Sequence, residues 1–223
     1  MPANAVAVQA IQTLSKWKLA DDSGTKGTAS GAMTVVTLPS LSGNSRQFAT
    51  TYTSGGGERY WVSFGSDPNA TNFFYDAWIY LANSASGVDT LELDMNQVTA
   101  DGQTVIYGFQ CDGNSHTWDY TENAGSPTQY VDHWIRSEQA CNVRKWAPDT
   151  WHHVQIWYSR DDSGNVTYHS VWLDGMEQPI DATVPSSFSL GWASVLLTNF
   201  QVDGQGSSGS SNAYLDELTV YRW

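Results

Sequence analysis

A single-domain, all-β sandwich or barrel is the fold class that this 223-residue sequence predicts, and three observations carry it. Turn-forming clusters recur along the whole chain: Asp21-Asp22-Ser23-Gly24, Ser42-Gly43-Asn44, Gly55-Gly56-Gly57, Asp67-Pro68-Asn69, Asp101-Gly102, Asp112-Gly113-Asn114, Asp161-Asp162-Ser163-Gly164-Asn165, Asp174-Gly175 and the tract 204–211. Between them lie short runs rich in β-branched and aromatic residues, the pattern of many short strands in a sandwich or barrel. Helical periodicity is weak throughout.

Taken in order, residues 1–18, with Val6, Ala10, Ile11 and Leu14 at helical spacing, are expected to form one short helix or an extension. Strands are expected over 33–38, 46–53, 59–64, 73–81, 89–97, 103–112, 117–122, 129–135, 151–159, 166–173, 192–202 and 214–222. The Gly/Ser tract 204–211 reads as a surface loop, because Ala213 to Trp223 after it reads as a strand that must return to a sheet. No linker or internal repeat interrupts the pattern, so 1–223 is read as one domain.

Composition narrows the function. Charged residues are 15% of the chain, against about 25% in an average domain, and aromatic residues are 13%. That ring surface excludes a disordered chain, and no apolar run approaches the ~18 residues of a membrane span. A net charge of −13 repels phosphate backbones, anionic lipid and polyanionic sugars, so nucleic acid is not an expected partner. Low charge, abundant Gly, Ser, Thr and Asn, and an excess of Trp and Tyr point to a secreted or extracellular (or periplasmic) monomer that meets neutral ligands. Met1-Pro-Ala-Asn has neither a basic n-region nor an apolar h-region. Met1 therefore reads as an added start on a mature chain, although a cytoplasmic protein would show the same absence. Two cysteines, Cys111 and Cys141, suggest one disulfide in an oxidising compartment, and its loop of about 30 residues would stabilise the fold by roughly 3–4 kcal/mol. Two separate buried thiols are the alternative.

Side chains alternate across a strand. In 91–97, Leu91, Leu93 and Met95 share one face, and Glu92, Asp94 and Asn96 share the other. Three poor strand formers in a row on one face suggest a strand with one side in the core and one in a polar groove; an ordinary solvated face is the bland alternative. Other strands carry similar second faces: Phe74, Asp76, Trp78 and Tyr80 in 73–81; Gly108, Gln110 and Asp112 in 103–112; Trp151, His153, Gln155 and Trp157 in 151–159. If these faces belong to one sheet, Trp78, Tyr80, Glu92, Asp94, Asn96, Gln110, Gln155 and Trp157 form one ligand-binding groove. Indoles would stack on sugar rings while acids and amides bond to the hydroxyls. For Trp17, Trp61, Trp134 and Trp223, core packing is the expected role.

Three segments carry a family resemblance. Glu92-Leu93-Asp94-Met95-Asn96 resembles the Glu-x-Asp-x-Glu strand of laminarinase- and lichenase-type β-glucanases. Trp151-His152-His153-Val154 followed by Trp172-Leu173-Asp174-Gly175 resembles paired strands of laminin-G-like modules, and Tyr214 to Tyr221 is similar to the last strand of both groups. The resemblance implies a concanavalin A-like lectin/glucanase jelly roll of two antiparallel sheets with a concave carbohydrate-binding face. It implies Glu92 as nucleophile and Asp94 as its assistant if the chain is an enzyme. The acid/base position holds Asn96, or Gln97 if the strand is bulged, and neither amide can act as an acid. Losing general acid catalysis costs typically 10²–10⁴-fold, and retaining hydrolysis needs a second carboxyl at about 5–5.5 Å; Asp76 and Asp112 are the candidate substitutes. The resemblance also places a structural calcium ion at Asp216, for which an acid at a strand edge is an equal alternative.

No His-Glu-x-x-His, Gly-x-Ser-x-Gly elbow or phosphate loop is present. His152 and His153 are adjacent and point to opposite faces, against a shared metal. The leading expectation is a carbohydrate-recognition protein that binds a neutral polysaccharide or oligosaccharide. Second is a glycoside hydrolase on neutral β-glucan with Glu92 as nucleophile or base, and third an adhesion or structural module.

Overall fold

The computed structural model describes residues 1–82 and 87–223. Two antiparallel sheets pack face to face. In the first, the strand order is β14 (Met176–Pro185), β13 (Asn165–Leu173), β12 (Trp151–Arg160), β6 (Asn72–Leu81), β17 (Gly209–Arg222), β4 (Ser45–Thr53) and β3 (Thr28–Val36). β1 (Val6–Val8) adds to β17. In the second, the order is β11 (Asp132–Ala140), β10 (Thr117–Asn123), β9 (Phe109–Asp112), β7 (Val88–Val98), β16 (Leu196–Gly204), β5 (Gly57–Gly65) and β2 (Lys18–Asp21). β8 (Gln103–Tyr107) pairs with β7 on one edge and with β15 (Ser187–Ser189) on the other.

The core lies between the sheets and follows from the alternation. β6 contributes Phe73, Tyr75, Ala77 and Ile79, and β7 contributes Leu91, Leu93 and Met95, all with no accessible surface. Fully burying one such side chain contributes about 1.5–3 kcal/mol, so each strand's apolar face fixes which way its other face points. Phe109, Trp118 and Tyr168 stack in series across the gap at centroid distances of 5.3 and 5.9 Å. Cys111 and Cys141 form the expected disulfide, with Cα atoms 5.4 Å apart, tying β9 to the residue after β11.

The amino end differs from expectation. Val6–Val8 is a strand, Ile11–Thr13 a single 3-10 turn and Lys18–Asp21 a strand. A helix that short is marginal in water, and pairing with β17 and β5 satisfies the same backbone groups. Expected strand 103–112 breaks at Gly108. The chain passes so close to β10 there that a Cβ on Gly108 would sit 2.5 Å from the Thr121 side chain. β14 and β15 were not expected; β14 closes a hairpin through Asp174 (φ 53°) and Gly175 (φ 82°), the left-handed pair of a type I′ turn. The tract read as a loop over 204–211 ends early, since β17 already starts at Gly209.

Candidate functional site

The polar face of β7 stands over the second sheet, as expected. Glu92, Asp94 and Asn96 point away from the core, and β7 pairs without a bulge from Thr90 to Val98. The third position of the acidic strand is therefore Asn96. Gln97 faces inward, where it accepts from Tyr107 and Arg160 and donates to the carbonyls of Asp67 and Ala70.

The register builds the site across strands. One row runs Arg59, Gln201, Glu92, Gln110, Asp119, Arg136 over β5, β16, β7, β9, β10 and β11. In the next, Trp61, Asn199 and Asp94 lie side by side, with Thr121 and Trp134 paired further across. A third sets Asp203, Thr90 and Asp112 abreast. Above these rows is a cleft of about 530 Å³. Tyr130, Trp134, Phe188 and Trp192 line it with rings, and Asp22, Asp132 and Asp203 join Glu92 and Asp94 as its acids. Trp192, in the loop after β15, is 49% exposed.

The acids are held by few donors. Glu92 accepts from Gln201 Nε2 at 2.8 Å, and the same amide nitrogen also reaches Asp203 at 3.0 Å. Asp94 accepts from the Phe109 amide at 3.1 Å and from the Asn199 side chain; Asp203 accepts from Thr90 at 2.6 Å; Asp132 accepts from the Tyr130 hydroxyl at 2.7 Å and from the Trp134 indole. Burial first, then the repulsion of neighbouring acids, raises the Glu92 carboxyl well above its ordinary value. Burial likewise lifts Asp94 to about 7 and Asp203 to about 6. Asn96 Oδ1, Thr104 Oγ1 and Thr121 Oγ1 are buried in the lining without a hydrogen-bond partner, a cost of roughly 1–3 kcal/mol each until something bonds them.

The structure divides the eight residues expected to share one groove. Glu92, Asp94, Asn96 and Gln110 lie in the cleft. Trp78 and Tyr80 are on β6, and Gln155 and Trp157 are on β12, which pairs with β6 in the first sheet. Two sheets that share a core turn their other faces in opposite directions, so those four side chains are on the far side of the molecule. Asp76 is there too and cannot supply an acid to Glu92. It accepts from His153 at 2.7 Å and from Gln155 at 2.8 Å. Trp78 lies parallel to His153 with centroids 4.3 Å apart, and Trp157 stacks on His169 at 4.0 Å. One face of each indole is thereby covered. Asp112 is on the cleft side of β9, opposite Thr90. His152 turns the other way from His153 and meets Asp174 at 2.8 Å.

Of the tryptophans expected in the core, Trp17 is buried, whereas Trp61 is half-buried beside Arg59, Trp134 lines the cleft and Trp223 is half-buried beside Met1 and Phe74. Asn199, Gln201 and Asp203 were missed, although they repeat along β16 the same alternating polar signature as Glu92, Asp94 and Asn96.

The surroundings of Asp216 do not fit a calcium ion. Its side chain is fully buried and its two oxygens accept six donors: Gln12 Nε2, the hydroxyls of Ser40 and Ser42, and the amides of Leu41, Ser42 and Glu217. Burial pushes this carboxyl up, but those bonds outweigh it and hold it below its ordinary value. Calcium needs six to eight oxygen acceptors, and N–H groups cannot supply them. Asp216 instead pins the 40–42 segment and the amino-terminal turn to β17.

No protein-family model matches the chain, and no curated protein matches it in sequence. Solved structures do match in shape. "Cellulose induced protein, Cip1" superposes with a TM-score of 0.51 at 15% identity, covering 92% of this chain and 90% of that one. A family 11 carbohydrate-binding module from Clostridium thermocellum, in complex with a β-1,3-1,4-mixed-linked tetrasaccharide, covers 97% and 94% at 12% identity and TM-score 0.45. A structure described under carbohydrate-binding modules of the β-sandwich superfamily gives 0.48 at 11% identity, and this chain spans 57% of its length. At such identities the likeness is one of fold alone: the chain is a two-sheet, antiparallel jelly-roll β-sandwich.

Proposed function

We propose that the protein is a secreted, monomeric carbohydrate-recognition module that holds a neutral polysaccharide or oligosaccharide in the cleft of the second sheet. The observation that supports this most is the combination in one 530 Å³ cleft of exposed indole surface, Trp134 and Trp192, with acids and amides fixed on paired strands. Rings offer a hydrophobic face to the C–H side of a sugar, and the carboxylates and amides match its hydroxyls. The unpartnered Asn96, Thr104 and Thr121 oxygens await such hydroxyls or water. The disulfide agrees with an oxidising compartment. Affinity for a panel of neutral oligosaccharides, measured on the native chain and on Trp192→Ala, tests the reading. Loss of one stacking ring should cost about 1–3 kcal/mol, or roughly 5- to 150-fold in affinity. Affinity unchanged in both Trp192→Ala and Trp134→Ala would remove the site from the cleft.

One observation favours a second reading, glycoside hydrolysis. Glu92 and Asp94 line the cleft from alternate positions of β7, and burial with neighbouring acids raises the Glu92 carboxyl, a setting suited to nucleophile, acid or base work. Glu92→Gln separates the two readings. A binder keeps most of its affinity; a hydrolase keeps binding while release of reducing ends from a β-glucan falls by orders of magnitude.

A further inference from the structure

The cleft holds more negative charge than its hydrogen bonding accounts for. Asp22, Glu92, Asp94, Asp132 and Asp203 line it against a single cation, Arg59, whose guanidinium sits 5.7 Å from the Trp61 ring. The ion pairs among the described residues all lie elsewhere: Asp89 with Arg144, Asp67 with Arg222, and acids with histidines at 122, 174 and 76. One amide nitrogen, Gln201 Nε2, is shared among Glu92, Asp203 and, at 3.5 Å, Asp22, although an amide has only two hydrogens to give. Buried carboxylates are ordinarily paired. Sugar hydroxyls would bond these acids yet leave them repelling one another. A positive charge would relieve the repulsion directly.

We propose that the cleft is built for an oligosaccharide of amino sugars carrying free, protonated amines, with the ammonium groups placed among Asp22, Glu92 and Asp203 and the rings against Trp134 and Trp192. The inference rests on the carbohydrate-binding reading and departs from the neutral ligand proposed there, putting a cationic sugar in its place. Two independent features of the same cleft converge on it: five acids against the one guanidinium of Arg59, and buried polar atoms, Asn96 Oδ1, Thr104 Oγ1 and Thr121 Oγ1, left open for the ligand's hydroxyls. An ammonium presents three donors and no acceptor, which complements a lining rich in carboxylate oxygens. Burial first, and the neighbouring acids after it, raise the carboxyls of Glu92, Asp94 and Asp203 in the free protein, and a cation bound among them would offset both.

The test uses three β-1,4-linked tetrasaccharides that differ only at carbon 2: glucosamine, N-acetylglucosamine and glucose. Affinities are measured by calorimetry on the full chain near pH 6. The expected result is glucosamine tetramer binding at least ~10-fold tighter than the others, about 1.4 kcal/mol. The advantage should shrink between about 0.01 M salt, where the screening length is about 30 Å, and about 1 M, where it is about 3 Å. It should also shrink in Asp203→Asn, and all glucosamine binding should weaken in Trp134→Ala. Equal or tighter binding of the glucose or N-acetyl tetramer would overturn the amine preference and leave the carbohydrate reading standing. A glucosamine advantage untouched by both Asp203→Asn and Trp134→Ala would show loose attraction of a polycation to an acidic protein, and would overturn the proposal. Binding of none of the three would overturn both the proposal and the reading beneath it.

Discussion

The outer faces of the two sheets are made of similar side chains and arranged to opposite effect. On the first sheet, most aromatic and polar groups satisfy one another, although the Trp157 indole N–H is buried without a hydrogen-bond partner. Trp78 covers His153, Trp157 covers His169, Asp76 takes hydrogen bonds from His153 and Gln155, and the Tyr80 hydroxyl donates to Asp149 at 3.0 Å. On the second sheet, acids crowd one another, share one amide, and have indoles beside them that reach solvent. Composition is therefore a poor guide to a binding face. What separates the two is whether each group has already found its partner within the fold, because a satisfied group has little left to give a ligand.

The comparison can be broken first through stability. The disulfide ties β9 to the end of β11 in the sheet that carries the cleft; the chain has no other cysteines to bridge the first sheet. Cys111→Ser with Cys141→Ser should lower unfolding free energy by about 3–4 kcal/mol in the chain-entropy model, measured by urea denaturation. A change under ~1 kcal/mol would show that the sheet holds without it.

Stacking gives the next largest effect. Trp192→Ala and Trp134→Ala should each weaken glycan binding by about 1–3 kcal/mol. Trp78→Ala and Trp157→Ala should leave affinity within about twofold, or ~0.4 kcal/mol, and show their effect as a lower melting temperature through the lost histidine stacking. Affinity that falls in the second pair and not in the first would reverse the assignment of the two faces.

A smaller effect is expected in the pH dependence. Asp94 and Asp203 are held at about 7 and about 6 in the folded state, above the ordinary Asp value near 3.9. The folded state therefore binds more protons than the unfolded one across about pH 4–7, and stability falls as pH rises through that window. Asp94→Asn should flatten the decline. Urea midpoints measured at intervals from pH 4 to pH 7 check the sign, and a rise toward pH 7 would contradict the unpaired cleft. Smallest of all, a chelator should leave the melting temperature unchanged, because Asp216 is saturated by donors; a marked drop would restore the calcium site to that end of the fold.

Much of this was legible in local alternation. Leu91, Leu93 and Met95 entered the core and Glu92, Asp94 and Asn96 left it as the period of two requires, and the apolar faces of β6 and β12 behaved the same way. The same rule also carried information that a focus on aromatic content overrode. Trp61 alternates with Tyr60 and Val62 and so shares the face of Arg59; Trp134 shares the face of Asp132 and Arg136. What alternation cannot show is which strands become neighbours. β7 pairs with β16, about a hundred residues later in the chain, while β6, immediately before it, belongs to the other sheet. A period of two is blind to that choice, so one groove was inferred where the molecule has two faces. Trp192 falls within the strand expected over 192–202, but the observed strand starts only at Leu196, so the period there said nothing about where its ring points.

The most direct test of the account exploits the tryptophans that stand on both outer faces, Trp134 and Trp192 on one and Trp78 and Trp157 on the other. Each indole N–H gives its own resonance in a ¹⁵N correlation spectrum, assignable by single Trp→Phe substitutions, and the spectrum is followed while an oligosaccharide that binds is titrated in. The account predicts saturable shifts of the Trp134 and Trp192 signals, with Trp78 and Trp157 unmoved. Shifts confined to Trp78 and Trp157 would contradict it, placing the ligand on the first sheet.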